Sequence, residues 1–300
     1  MFYIHSIASI SHQNSFRNEG FSKNLKVLNE ENELISPDYK EILPPTALRR
    51  LSTILKIGMT AAIECQSEIE YDAIVVGTAL GCLQDTEKFL VTIETATSDV
   101  LSPTAFIQST HNTIGGSISL SLKNHGYNMT HTQNALSFEV SLIDAILLLK
   151  EDKENVLLGA ADEKIEFLKN LQPNLISDKY PLSTLATFMN LKNEKHSDGI
   201  YIKDVYVNFN TQKDIQTEID TFLTSNGLST EKLIKVYHSN VTELNQSNYI
   251  NYLPFTGLNY SASALACHFA QDELKNLESG SILIVNNLCS GNLGLTLIQK

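Results

Sequence analysis

The chain has 300 residues, of which 42% are hydrophobic and 19% are charged. This composition is typical of a globular protein that can bury a large core without disulfides or structural metals. The formal net charge of −12 argues against a general nucleic-acid surface, because binding to phosphates needs clustered Lys and Arg side chains. We therefore expect no nucleic-acid partner.

The cysteines and the apolar runs limit the cellular setting. Cys65, Cys82, Cys267 and Cys289 are widely scattered, and no pair has the spacing of a metal site. The stretch "MFYIHSIASISHQNSF" lacks the basic and apolar regions of a signal peptide, and no apolar run approaches the roughly 18 residues of a membrane span. We expect reduced thiols, a cytoplasmic location, no membrane span and no metal site.

The first part of the chain alternates predicted strands and helices. In chain order, the pattern predicts a strand over residues 1–10, a polar excursion over 11–43, a helix after Pro45 that runs past Met59, a buried strand over 72–79, a helix over 85–94 capped by Asp85, a short helix over 113–123, a strand over 127–131, a buried helix over 134–150 and a buried strand over 155–163. This alternation predicts a mostly parallel sheet with helices on its faces.

The second part repeats the same alternation more briefly. It predicts a strand over 199–209, a helix over 212–227, a strand over 232–238, a helix over 261–275 and a closing hairpin from "SILIVNN" and "LGLTLIQK". Periodicity is weak over 170–197, so we place the boundary between two related halves there. We predict a single domain over 1–300, with halves at about 1–170 and 195–300.

Seven stretches carry a resemblance to a known family. In order they are "VVGTALGCLQDTEKF", "SPTAFIQSTHNTIGGSISLSL", "NMTHTQNALSFEVSLIDAI", "VLLGAADE", "EKLIKVYHSNVT", "LPFTGLNYSASALA" and "LIVNNLCSGNLGLTLI". Together they resemble the β-ketoacyl synthases of the thiolase-like superfamily. The resemblance implies an α/β fold of layered αβαβα architecture, with a trimmed second half because the chain is shorter than a full ketosynthase. A compact branch from aryl polyene, flexirubin and dialkylresorcinol clusters looks most similar.

The resemblance also assigns positions to the catalytic groups of that family. Gln133 stands where the family has its nucleophilic cysteine, and Leu258 stands at the second of two histidines. Leu253 stands at the lysine position, whereas the first histidine is kept as His238, the one retained catalytic position. A glutamine cannot form a thioester and a leucine cannot donate a hydrogen bond. The match therefore implies a degenerate centre of the kind found in chain-length factors.

Five residues near these positions are pocket candidates. They are His131, Thr132, Thr242, Phe255 and Asn292. Simpler interpretations stay open beside the functional ones. His238 could only satisfy backbone groups at a strand end, and Gln133 could be a hydrogen-bonded turn residue. Cys82 could be a reactive thiol at a helix N-terminus or, in the simpler interpretation, a small buried filler.

The resemblance implies three alternatives for function. The first is a non-condensing, chain-length-factor-like subunit in fatty-acid, aryl polyene or related polyketide-type lipid biosynthesis. The second is a divergent β-ketoacyl synthase or acyltransferase that uses another nucleophile, such as Cys82 or Cys289. The third is a stand-alone acyl-binding or scaffold protein. Expected partners are an acyl carrier protein and a ketosynthase or a second copy of the chain. No bound cofactor is expected, since acyl groups would arrive on the phosphopantetheine of the carrier protein.

Overall fold

A computed structural model of the chain describes residues 1–66, 69–95, 103–175, 179–211, 214–239 and 247–300. The strands are β1 (Phe2–Ile10), β2 (Ala73–Gly77), β3 (Tyr127–His131), β4 (Asn155–Asp162), β5 (Leu185–Lys192), β6 (Tyr201–Asn208), β7 (Lys235–His238), β8 (Tyr249–Asn251), β9 (Ser281–Asn286) and β10 (Leu293–Gln299). The helices are α1 (Pro45–Leu48), α2 (Thr53–Glu64), α3 (Leu83–Thr95), α4 (Pro103–Gln108), α5 (Thr113–Leu122), α6 (Ser137–Lys150), α7 (Glu166–Leu175), α8 (Ile215–Ser225), α9 (Leu253–Thr256) and α10 (Ala262–Lys275).

The ten strands are hydrogen-bonded in the order β3-β2-β4-β5-β1-β6-β10-β9-β7-β8. When the strands of each half are renumbered one to five in chain order and read from the outer edge of the sheet inward, both halves have the order 3-2-4-5-1. The two halves meet where β1 pairs antiparallel with β6. The prediction of two related βα halves is confirmed. The first half runs through β5 to residue 192, beyond the expected limit of 170.

The core is layered because successive side chains of each strand face opposite sides. In β4, Val156 and Leu158 belong to a central cluster that also holds the buried faces of α6 and α10, whereas Leu157 belongs to an outer cluster with α2 and α5. A third cluster packs α8 against the outer face of the second half. The order helix, sheet, helix, sheet, helix is the expected αβαβα architecture.

The helix α6 forms the centre of the molecule, as its sequence predicts. Leu142, Ile146 and Leu148 are all buried, because this helix has a sheet on both sides. Its last turns reach the surface, where Leu147 is exposed. No helix in the described part of the chain combines the length and the apolar character that crossing a membrane needs.

Several local predictions were wrong. The sheet is mixed, since only β3-β2-β4 and β8-β7-β9 are parallel sets and the other pairings are antiparallel. The strand β5 lies in the stretch assigned to the boundary; it is buried on both faces, so "LATFMNLK" shows no alternation. The helix expected after Pro45 is two helices, α1 and α2, and Asp85 lies in the first turn of α3.

Glu139 lies between the two sheets, where carboxylates are rare. It is 1% exposed, and its Oε1 accepts a hydrogen bond of 2.9 Å from the Nδ2 of Asn286 on β9. The same amide also donates to the carbonyl of Ala135 at 2.7 Å, while Ser263 on α10 lies 3.3 Å away. Burial raises the pKa of Glu139 to about 7. A Cβ at Gly294 would lie 2.9 Å from the Glu139 Cγ, so this strand position has no room for a side chain.

Replacing Gly159 tests the packing between β4 and β5. A Cβ at this position would lie 2.1 Å from the ring of Phe188, its partner on β5. We expect Gly159→Ala to lower the free energy of unfolding by roughly 1–3 kcal/mol, because overpacking a rigid core forces its neighbours to move. Gly116 in α5 is the matched control, since no atom lies within 4 Å of its added Cβ. Gly116→Ala should raise stability by up to about 1 kcal/mol. Urea unfolding measures the free energy of unfolding of both variants. Equal changes in the two variants would contradict the close packing of Gly159 against Phe188.

Glu139 should make the stability of the protein fall as pH rises. Its raised pKa means that the folded state keeps a proton which the unfolded state releases from about pH 4.3 upward. Between pH 5 and 8 we expect Glu139 to account for a loss on the order of 2–3 kcal/mol. Glu139→Gln stays neutral and should flatten this slope in urea unfolding measured at each pH.

Glu163 provides the comparison for this measurement. Burial raises its pKa to about 7 as well, although it lies away from the central helices. Glu163→Gln should therefore remove a separate part of the slope, and the two effects should add because the residues share no partner. If Glu139→Gln and the wild type had the same slope of stability against pH, the carboxyl of Glu139 would be ionised already at low pH in the folded protein.

Candidate functional site

The elbow between β3 and α6 is the position at which the sequence predicts an active centre. Thr132, Gln133 and Asn134 follow the last strand residue, and all three are exposed. A short 3-10 turn over Asn134–Leu136 then leads into the helix. The Gln133 N–H donates to the Oγ of Ser137 at 2.9 Å, and that hydroxyl donates to the Asn134 carbonyl at 2.7 Å. The elbow is therefore held by its own chain.

Asn134 adopts the left-handed backbone conformation, with φ of 55°. This conformation is uncommon for residues with a side chain and is tolerated best by Asn and Asp. Sharp strand-to-helix turns of this kind present a side chain at the top of a sheet in enzymes that use a nucleophile. The strained residue of this elbow is thus Asn134, one position after the residue that the sequence match assigned to the cysteine.

A second segment reaches the elbow from the loop between β9 and β10. The Sγ of Cys289 lies 3.9 Å from the Asn134 Oδ1, and the backbone N–H of Ala135 also points to this sulfur. Burial raises the pKa of the Cys289 thiol, and the Ala135 N–H acts in the opposite direction. Asn292 donates its backbone N–H to the Cys289 carbonyl at 3.0 Å and so belongs to the same loop. The elbow and this loop form one site.

His238 ends strand β7 next to β9 and is buried. Its ring centroid lies 6.5 Å from that of Tyr249, a residue that packs on the outer cluster with α8. Successive side chains of β7 face opposite sides of the sheet. Tyr237 faces the central cluster and Val236 the outer one, so the alternation also directs His238 toward the outer cluster. Burial lowers the pKa of His238. The catalytic role of His238 stays a prediction.

The remaining catalytic positions are apolar and buried. Leu253 begins α9, and its backbone N–H is capped by the side chain of Asn251 at 2.9 Å. Leu258 is 3% exposed and donates its N–H to the Pro181 carbonyl at 2.7 Å. Phe255, a pocket candidate, is partly buried against the central cluster, and its carbonyl accepts from Gln13. Thr242 lies outside the described residues.

His131 and Thr132 differ in their surroundings. The His131 Nε2 lies 2.8 Å from the Oδ2 of Asp144 on α6, and the Tyr127 hydroxyl donates to the same oxygen at 3.2 Å. These contacts tie β3 to the central helix. Thr132 is exposed beside the elbow. Asp144 thus has two partners on β3, and the place of His131 in a pocket stays a prediction.

Three of the four thiols are fully buried, and no group of metal ligands forms in the described part of the chain. Burial and the nearby Asp85 and Glu163 raise the pKa of Cys82, so a thiolate at this position is strongly disfavoured. Cys267 packs in the central cluster. Cys289 alone is partly exposed among the four. Sequence reasoning missed Asn286 and the hydrogen bond that it donates to Glu139, because no local pattern connects residues 147 positions apart.

Solved structures with the same fold include two ketosynthase–chain-length-factor pairs. The ishigamide ketosynthase/chain length factor has a TM-score of 0.81 at 11% identity and covers 99% of this chain and 98% of that chain. The ketosynthase ApeO in complex with its chain length factor ApeC, from Xenorhabdus doucetiae, has a TM-score of 0.64 at 14% identity and covers 100% and 99%. Likenesses at this level of identity show the fold.

A third structure contains a carrier protein. It is AntDE:AntF, a type II PKS acyl-carrier protein in complex with its ketosynthase bound to the hexaketide, with a TM-score of 0.77 at 14% identity and coverage of 99% and 98%. No curated protein matches the chain in sequence. The family model described as "Beta-ketoacyl synthase, N-terminal domain" matches residues 23–246, which is more than half of the chain. The chain therefore belongs to the β-ketoacyl synthase family.

Proposed function

We propose that the protein is a non-condensing subunit of the chain-length-factor kind, in fatty-acid, aryl polyene or related polyketide-type lipid biosynthesis. One observation carries the proposal: the elbow between β3 and α6 presents Thr132, Gln133 and Asn134, and none of these side chains can hold an acyl group as a thioester. The site keeps the backbone shape of a nucleophile elbow without the nucleophile.

Two of the groups that would assist condensation are also missing from their expected positions. Decarboxylative condensation needs hydrogen-bond donors for a developing enolate and oxyanion. Leu258 and Leu253 offer only hydrocarbon, and the contacts of His238 favour a direction away from the central layer. Restoring one of these groups would leave the others absent. This combination supports a role in binding or assembly over a role in bond formation.

A partner surface supports the same proposal. β3 is an end strand of the sheet, and its outer edge pairs with no other described strand. Tyr127 and Met129 on β3, and Leu120 on α5, which packs against β3, are exposed apolar side chains. An unpaired edge with apolar neighbours favours association with another chain. We assign this edge to a ketosynthase partner, with a carrier protein as the source of acyl groups, because related complexes contain both kinds of protein.

An active acyltransferase is the second candidate function, and Cys289 is the observation that favours it. This thiol is partly exposed and lies at the elbow, within reach of the Ala135 N–H. Cys82 is less suited, since it is 0% exposed. Incubation with an acylated carrier protein and intact-mass measurement separates the two functions, because only the acyltransferase should gain an acyl group, and Cys289→Ala should then lose it.

Condensation assays test the absence of catalysis. We expect no ketoacyl product above the blank without protein from wild type, from Gln133→Cys, or from Asn134→Cys, because Leu253 and Leu258 remain in each. The combined change of Gln133→Cys with Leu258→His is the most permissive variant and should still fall at least about 1,000-fold below an intact ketosynthase. Product formation by the wild type would overturn the proposal and direct attention to Cys289.

Substitution at the β3 edge tests the partner surface. Met129→Lys should abolish co-purification with a ketosynthase encoded beside this chain, since it places an unpaired charge on the apolar contact surface. Leu277→Lys is the matched control, because Leu277 is 38% exposed against 39% for Met129 but lies beyond α10. Equal loss of co-purification in both variants, or in neither, would contradict an interface at this edge.

A further inference from the structure

A polar cleft lies between α10 and β1, apart from the elbow. It has a volume of about 250 Å³, and one face of α10 lines it with His268, Gln271, Asp272 and Lys275. The first of these residues lies more than one helical turn further along α10 than Ser263, the residue beside the Asn286 amide. The cleft is therefore a separate candidate site.

Two side chains that line this cleft are buried and yet keep hydrogen-bonding groups without partners. Gln271 is 4% exposed and His268 is 7% exposed. The His268 Nδ1 forms a hydrogen bond of 2.8 Å with the Ser9 hydroxyl, and burial lowers the pKa of this histidine to about 4, so the ring is neutral near pH 7. In the part of the chain that the structure describes, neither the Gln271 carboxamide nor the His268 Nε2 has a partner. Buried polar groups in proteins are usually paired, so these two indicate a molecule that binds in the cleft.

The opposite wall of the cleft contains a β-bulge. The pairing of β1 with β5 shifts its register between Ile4 and Ser6, so His5 lies in the bulge, a feature that often redirects a side chain beside a functional site. The His5 Nε2 donates to the Glu194 carbonyl at 2.8 Å, so the neutral ring keeps its Nδ1 as an acceptor. The centroid of this ring lies 5.0 Å from that of His196, which also lines the cleft. Two flat rings thus stand across the cleft from the Gln271 carboxamide.

The charged side chains of the cleft already have partners within the protein. The Asp272 carboxylate accepts from two backbone N–H groups at 2.6 and 3.0 Å. The ion pairs are Arg17 with Glu64, Lys275 with Glu19 and Lys275 with Asp198. A charged ligand would have to break one of these pairs, which costs more than an exchange of neutral hydrogen bonds. The arrangement of charges therefore favours a neutral ligand.

We propose that this cleft binds a small neutral molecule with a planar amide edge, in which an N–H donor stands beside a carbonyl acceptor. The Gln271 carboxamide can form two hydrogen bonds with such an edge, one as donor and one as acceptor. The His268 Nε2 adds a third polar contact, and the rings of His5 and His196 suit a flat ligand. The volume of the cleft is below the roughly 300–1,000 Å³ of pockets for drug-sized ligands, so the molecule is small. The proposal is independent of the function proposed for the elbow.

Titration of the full chain with nicotinamide and with uracil, followed by saturation-transfer NMR, tests the proposal. Both probes carry the amide edge, one on a carboxamide and one on a nucleobase, and the tighter binder identifies the source of that edge. The methyl ketone with the same pyridine ring as nicotinamide should bind at least about fivefold more weakly than nicotinamide, because its methyl group cannot donate to the Gln271 oxygen. Nicotinate is an anion and should also bind more weakly, because Arg17 and Lys275 are already paired.

Variants of the cleft locate the binding of the tighter probe. Gln271→Met keeps the length of the side chain without its amide and should weaken binding at least about fivefold. Gln216→Met is the matched control, because Gln216 lies on α8 outside the cleft, and it should bind as the wild type does. Asn18→Trp keeps the test decisive if Gln271→Met fails to fold, because Asn18 lines the cleft but is exposed. Its indole should fill the cleft and abolish saturable binding, and circular dichroism checks that each variant is folded.

Four results would overturn the proposal. They are no saturable binding of either nicotinamide or uracil, binding of the methyl ketone as tight as that of nicotinamide, tighter binding of nicotinate than of nicotinamide, and wild-type affinity in the folded Gln271→Met or Asn18→Trp variant. The third result would identify an anion site in place of an amide site.

Discussion

The side-chain amide of Asn286 connects the second half of the chain to the elbow and to α6, on which the site depends. Asn286 lies on β9 of the second half. Its amide donates to the Ala135 carbonyl at the elbow and to the Glu139 carboxyl in the first turn of α6, the helix that follows β3 of the first half. The Ser263 hydroxyl on the other central helix lies beside it. A buried polar network has to be fully arranged to be stable, so this amide fixes the rotation and depth of α6 relative to both sheets. The turn at Asn134, whose backbone is in the left-handed conformation, lies just before the N-terminus of that helix.

The site contains both buried carboxyl groups and buried leucines. The carboxyl groups of Glu139 and Asp162 lie in the interior, where each accepts a hydrogen bond from a protein donor. Leu253 and Leu258 stand at two positions where the family has polar residues, and both are buried. Buried carboxyls of this kind cost stability unless they are neutral or hydrogen-bonded.

Much of the fold could be predicted because its central elements have strong local patterns. The α6 sequence is apolar on nearly all sides, and the short β-branched runs of β2, β4 and β9 are bounded by turn residues, so their burial follows directly. β5 was missed because a strand buried on both faces has no alternation to detect. The direction of His238 depends on the register of β7 against β9 and Tyr249, which no local pattern contains. The left-handed backbone of Asn134 was not predicted, because a match of residue types carries no information on dihedral angles.

The place of β1 in the sheet has a consequence for how the chain is made. β1 comprises residues 2–10, yet its partners are β5 and β6, which begin at residues 185 and 201. During synthesis, β1 leaves the ribosome before either of its neighbours and stays without them until the residues up to β5 have followed. Pairing over such sequence separations is slow, because a long loop must be ordered before any contact compensates for it. A nascent chain of this protein therefore carries β1 unpaired while those residues are made, which prolongs the exposure of its apolar side chains.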